Sequence, residues 1–325
     1  MGHLASTELV MAELVPEGSP PPRRPRPPSW LRRHLPLILF VATCLTTFLA
    51  GSQLTNVVLY TLEYVAEHHS WPTDLQKIGH QLPGWCYDGL IYAASIMTIL
   101  LSHEMGHYLQ TRRYGVPASL PIFLPMPIGP IGTIGAVIGM RPGVGDRKAI
   151  FDIGITGPLA GLVPTLFFCV VGLRHAGFVP GSEQYGEPLL IQLLAWLRFG
   201  PRPEGLIGIH NPMLFAAWVG LLITSLNLLP IGQLDGGHIL YALLRKKAHH
   251  VASLLLMAAA AAVVVATVIF DYYIWTVMIL LLLVMGPNHP PTANDDVPLG
   301  PTRIVLGWLT LAFVLVGFTP MPFKL

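Results

Sequence analysis

His103-Glu104-Met105-Gly106-His107 puts two imidazoles and a carboxylate at a spacing suited to metal chemistry. Residues four apart share one face of an α-helix, so His103 and His107 can grip a single ion from adjacent turns. Glu104 points about 100° away from that face and stays free to act on a water. The pattern alone is only suggestive, because composition produces it by chance in some chains. Its surroundings give it weight.

Those surroundings are apolar: hydrophobic residues make up 53% of the chain and charged residues 11%. No Asp, Glu, Lys or Arg occurs in Leu35 to Leu62, Ile153 to Leu173, Gly205 to Leu234, Val251 to Phe270 or Ile304 to Phe323. Each run has the length of a membrane-spanning helix, about 20 residues. The stretch from Gly89 to Ser102 leads into the His-Glu motif, and Tyr272 to Gly286 offers a return across the bilayer. The pattern predicts an all-α, polytopic membrane protein with six or seven transmembrane helices. The partners this implies are the lipid bilayer and membrane proteins, not nucleic acid.

With a cytoplasmic N-terminus, 14 of the 19 Lys and Arg residues face inward, as the positive-inside rule requires. The helix carrying the motif then runs inward, with His103 roughly 14 Å and His107 roughly 8 Å before Arg112 at the interface. Residues 1–33 are Pro- and Arg-rich and predict a disordered cytoplasmic tail, with residues 34–325 embedded in the membrane. Met1-Gly2 and Ser6 fit an N-myristoylation pattern that adds little to a chain anchored by several spans. Cys44, Cys86 and Cys169 have no paired spacing and read as small apolar fillers.

A catalytic zinc takes three protein ligands and keeps one position open. Asp235 is the best third candidate, because it ends the uncharged run from Gly205 at the inner membrane side, the depth of His103 and His107. Pro230, Gly232, Gly236 and Gly237 predict a broken helix there, which lets the carboxylate turn toward an ion. A helix-terminal acid at headgroup level is the plainer alternative, and His238 and His210 are rival ligands. His210 falls at the opposite face, and His238 better suits a place beside the ligands. An ionised acid deep in a membrane helix costs roughly 2.5–3.5 kcal/mol, so Glu104 and Asp235 need a partner.

Together, the His103–His107 motif and the Asn227–Gly237 stretch with its Leu234-Asp235-Gly236 core resemble the site-2 protease family of intramembrane zinc metalloproteases. The resemblance covers about residues 88 to 245. It implies that His103, His107 and Asp235 bind Zn2+, that Glu104 is the catalytic base, and that Asn227 lies near the substrate or the developing oxyanion. It further implies regulated intramembrane proteolysis of transmembrane protein substrates. A metal transporter would string its polar groups along a path, and an inactive protease-like chaperone would lack a ligand or the base.

Between the motifs, the Pro- and Gly-rich, apolar segment near 117–140 predicts a re-entrant extended or hairpin structure. Its edge, around Gly132 and Gly135, could pair with an unwound substrate by strand addition. Gly157 and Gly161 predict a close helix contact, and Pro188 to Phe199 an interfacial helix on the outer face. Asp271-Tyr272-Tyr273 reads as an aromatic interface anchor. The expected location is the bacterial inner membrane.

Overall fold

Long apolar runs suit helices, which satisfy every backbone polar group internally, and the computed structural model is mostly helical. It describes residues 30–52, 54–71, 75–141, 143–180, 185–201, 206–208 and 211–323. The tail before residue 30, with its Met1-Gly2 pattern, and His210 lie outside the described residues. Two units are distinguished, residues 1–35 and 36–325. The described part of the first is the opening of helix α1.

In chain order the helices are α1 (Trp30–Gly51), α2 (Leu54–His68), α3 (Leu75–Arg113), α4 (Arg147–Arg174), α5 (Leu189–Phe199), α6 (Pro212–Asn227), α7 (Asp235–Leu244), α8 (Lys247–Phe270), α9 (Thr276–Met285), α10 (Pro301–Ala312) and α11 (Val314–Gly317). Among the described residues, four stretches are long and apolar enough to cross a membrane: His34–Gly51, Gly79–Arg113, Arg147–Arg174 and Lys247–Phe270. Against the six or seven expected spans, four helices are long enough, and the other apolar helices, α5, α6, α9 and α10–α11, are shorter.

Local chemistry explains the shortening. The uncharged run from Gly205 holds a strand at Leu206–Gly208 before its helix begins at Pro212. Asn211 caps that helix, its side chain accepting from the Leu214 N–H at 3.0 Å, and Pro212 supplies the preset first turn. The run from Leu35 is interrupted after Gly51.

Strands β1 (Ile122–Pro125) and β2 (Thr133–Val137) pair antiparallel, with an Ala118–Met140 bridge below them. The hairpin expected near 117–140 therefore forms. Its tip is pinned by Thr46 Oγ1–H donating to the Gly132 carbonyl (2.6 Å) and Tyr92 O–H donating to the Ile131 carbonyl (2.7 Å). Strands β3 (Phe178–Pro180) and β4 (Leu206–Gly208) form a second, unanticipated antiparallel pair, so the fold is not purely α. The expected helix at 188–199 is α5, which buries Ile191 and exposes Leu189, Leu193, Trp196 and Leu197. At the expected aromatic anchor Tyr273 is exposed, whereas Tyr272 is buried and donates to the Phe323 carbonyl.

The core lies where α3, α4 and α6 meet. Helix α6 is buried from Ala216 to Leu222, around the fully enclosed Trp218. A helix apolar on all sides belongs inside a bundle. Helix α8, by contrast, leaves Leu254, Met257, Val264, Val268 and Ile269 exposed, a continuous apolar surface suited to lipid.

Helix α3 packs most extensively against α4. Gly106, inside the His-Glu motif, sits where an added Cβ would meet the Thr156 carbonyl oxygen at 2.5 Å and Ala160 Cβ at 2.9 Å. The motif's glycine thus lets two helix backbones touch. Gly106→Val should force them apart and destabilise the protein by about 1–3 kcal/mol or more. Thermal melting in detergent measures this, with Met105→Leu expected to melt within a few degrees of the parent.

Candidate metal centre

Helix periodicity places His103 and His107 one turn apart on the α3 face that meets α4. Both are nearly inaccessible, 3% and 8% exposed, and Glu104 is 4% exposed. Space for the rings comes from α4. A Cβ at Gly157 would collide with His107 Nε2, and one at Gly161 would lie 3.0 Å from His103 Cβ. The Gly157 and Gly161 contact expected from spacing is therefore a cradle for two imidazoles.

The Ile153 carbonyl accepts a hydrogen bond from His107 Nδ1–H at 2.7 Å. That fixes the tautomer, leaving Nε2 with its lone pair turned toward His103. The same Ile153 carbonyl also accepts from the Thr156 hydroxyl at 3.1 Å.

Asp235 arrives from the other half of the chain. Helix α6 ends at Asn227, and residues 228–234 form an irregular turn before α7 begins at Asp235. The break predicted from Pro230 and the glycines is present. Gly236 and Gly237 allow the new helix to fold back closely, since a Cβ on either would strike carbonyls of Leu228 or Gly232.

The three donors converge. Asp235 Oδ2 lies 3.2 Å from His103 Nε2 and 3.3 Å from His107 Nε2, and the two imidazole nitrogens are 3.1 Å apart. Tetrahedral zinc with bonds of about 2.0–2.1 Å separates neighbouring donors by about 3.3 Å. The nearly equilateral triangle therefore fits zinc, as does its chemistry of two neutral imidazoles and one carboxylate. Among the described residues this is the single group of three such donors.

Other predicted residues take different places. Glu104 is close enough for its charge to interact with His103, His107 and Asp235. Asn227, the last residue of α6, has its Nδ2 3.5 Å from His103 Nε2. Gly132 and Gly135 stand apart from the donors. Gly132 is at the hairpin tip with φ +78, a left-handed conformation that suits glycine, packed on Thr46 and Thr47. Gly135, in β2, is buried, although a Cβ there would meet no atom within 4 Å. His238 is not one of the three donors; its ring meets His289, whose Nδ1–H donates to the Pro290 carbonyl while Nε2 accepts from His238 Nδ1–H.

His289 escaped the sequence reading because it stands in a proline-rich loop, outside the expected core and without ligand spacing. So did the Ile153 carbonyl, a backbone group that any residue could offer. Burial, reinforced by the neighbouring His238 ring, pushes the His289 imidazole down to about 3.

A helical membrane-type bundle carrying a His-Glu-x-x-His helix and a distant aspartate defines a metallopeptidase-like centre. Comparison with known proteins agrees. The model of Peptidase family M50 matches residues 91–270, just over half of the chain. The chain belongs to this family, the site-2 protease family.

Among similar proteins is a probable zinc metalloprotease EGY1, chloroplastic, of Oryza sativa subsp. japonica, 30% identical over 236 residues, covering 68% of this chain and 40% of that protein. The probable zinc metalloprotease EGY2, chloroplastic, of Arabidopsis thaliana is 34% identical over 170 residues, covering 49% and 30% respectively. The chain spans two fifths or less of the length of these curated relatives. Their chloroplast location conflicts with the bacterial membrane expected from the sequence, so only apolar, membrane-type helices are retained from that expectation.

Two outcomes follow from this geometry. Gly157→Ala should push the His107 ring aside and lower zinc affinity roughly 10- to 100-fold, read by chelator competition. For His289, a pKa held below its ordinary 6.5 means the fold favours the neutral ring. Its stabilising effect is complete above about pH 6.5 and is lost as pH falls from there toward 3. Melting temperature should drop between pH 7.5 and 5, and His289→Phe, which keeps the stack on Tyr241 but cannot protonate, should flatten that decline.

Proposed function

We propose that this protein is an intramembrane zinc metalloprotease that hydrolyses peptide bonds within or near transmembrane segments of other membrane proteins. The observation that carries the reading is the triangle of His103, His107 and Asp235 donors, buried beside Glu104 in a bundle whose outer surface is apolar. Zinc, when bound, would supply Lewis acidity to polarise a scissile carbonyl and acidify a water.

The chain's own residues supply the rest. Glu104 accepts a proton from the attacking water as its oxygen bonds to the carbonyl carbon, then gives that proton to the amine nitrogen as the C–N bond breaks. Asn227, whose Nδ2 lies 3.5 Å from His103 Nε2, would donate to the carbonyl oxygen as it gains charge. Burial of the site excludes bulk water and strengthens both interactions.

A transmembrane substrate hides its carbonyls in helical hydrogen bonds and must unwind before attack. The hairpin supports a place for the unwound strand, since β1 and β2 form a two-stranded sheet whose Ile134 and Val137 side chains are exposed. Its tip is bonded to Tyr92, 11 residues or roughly 16 Å along α3 from His103, which supports a re-entrant path beside the site. The inward direction of α3, the cytoplasmic N-terminus and the multi-pass topology rest on the distribution of Lys and Arg and on the apolar helices.

Purified protein incubated with a transmembrane peptide should cleave it and stop on chelation. Glu104→Gln should retain zinc while cleavage falls by about 10²–10⁴-fold. Unchanged turnover in Glu104→Gln would remove the proposed base. Bound zinc without cleavage of any membrane-spanning peptide would favour a metal-binding protein that is not a protease.

A further inference from the structure

Asp235 is the donor on a different helix from the other two, and its position depends on where that helix sits. Helix α7 has only ten residues, roughly 15 Å of length, and follows an irregular turn. So short a segment has little stability of its own and can shift along its axis unless its ends are tied.

The C-terminal end is tied by Arg147. Its Nε–H donates to the Ala242 carbonyl at 2.6 Å and its Nη2 to the Leu243 carbonyl at 3.3 Å. These are among the last carbonyls of α7, which the helix leaves without internal partners. A guanidinium fork there satisfies two of them and sets a cation at the negative end of the helix dipole. Among the described residues, both side-chain hydrogen bonds from α4 to α7 come from Arg147.

Arg147 is also the first residue of α4, the helix whose Ile153 carbonyl orients His107 and whose Gly157 and Gly161 cradle the rings. The same rigid helix thus references two ligands, His107 through Ile153 and α7 through Arg147. The Arg147 backbone N–H donates to the Asn294 carbonyl at 3.0 Å, anchoring the residue further.

We propose that Arg147 is a positioning residue for the metal centre, holding α7 in the axial register that brings Asp235 Oδ2 onto the two imidazole nitrogens. The fork lies seven residues from Asp235, roughly 10 Å along the helix, so it acts through α7 and not on the ion. This inference rests on the reading of Asp235 as a zinc ligand.

The test uses full-length protein in detergent, with zinc affinity from chelator competition and the visible absorption of the cobalt-substituted form. Arg147→Ala should weaken zinc binding about tenfold or more and alter the cobalt spectrum. Arg147→Lys, which keeps one donor and the charge, should fall between it and the parent. Lys148→Ala, a neighbouring cation without that fork, should match the parent.

Parent-like affinity and spectrum in Arg147→Ala would overturn the proposal, even with a lowered melting temperature. Should that variant not fold, Arg147→Lys decides: parent-like zinc binding and spectrum overturn it, weakened binding supports it. Asp235→Ala tests the underlying reading separately. Retained zinc there removes the ligand assignment, whereas lost zinc there with parent-like binding in both Arg147 variants overturns the positioning role alone.

Discussion

Two imidazole nitrogens and a carboxylate oxygen cannot be held within 3.3 Å of each other in an apolar interior without something that rewards their approach. Removing such groups from water costs several kcal/mol unless they are paired. A divalent cation would pair all three by giving their lone pairs one target. The rest of the architecture meets that requirement: one helix presents both rings, a broken helix delivers the acid, and a third helix without side chains at two positions leaves the rings their space.

Helix α4 is the frame on which the centre is built. It touches α3 through Gly106, receives the rings at Gly157 and Gly161, and orients His107 by a backbone carbonyl. Its Asp152 takes a bidentate contact from Arg303 Nε and Nη2, and the Tyr114 hydroxyl donates to the same carboxylate. This partly buried carboxylate is held from two other elements, and losing Arg303 would leave its charge unpaired. Helix α4 is therefore locked to the end of α3 and to α10.

Much of the centre was legible in the sequence because its signals are local or depth-linked. His103 and His107 announce themselves by spacing, and Asp235 by ending an uncharged run at a charge-poor depth. Gly157 and Gly161 were legible as small residues, although the partners they accommodate are imidazole rings and not merely a helix. The hairpin near 117–140 was legible from its Pro and Gly content. The number of long helices was less so, because an uncharged run says nothing about where Asn211 will cap or where a two-stranded pair will form. Contributions from Ile153, Arg147 and His289 were hidden, since a backbone carbonyl, a helix-terminal cation and a loop histidine carry no pattern that names their partners.

The central claim is that His103, His107 and Asp235 share one zinc ion, and X-ray absorption at the zinc edge of the loaded protein tests it most directly. The account predicts a shell of nitrogen and oxygen donors at about 2.0–2.1 Å with outer scattering from two imidazole rings. A sulfur shell near about 2.3 Å, or scattering from one ring only, would contradict it.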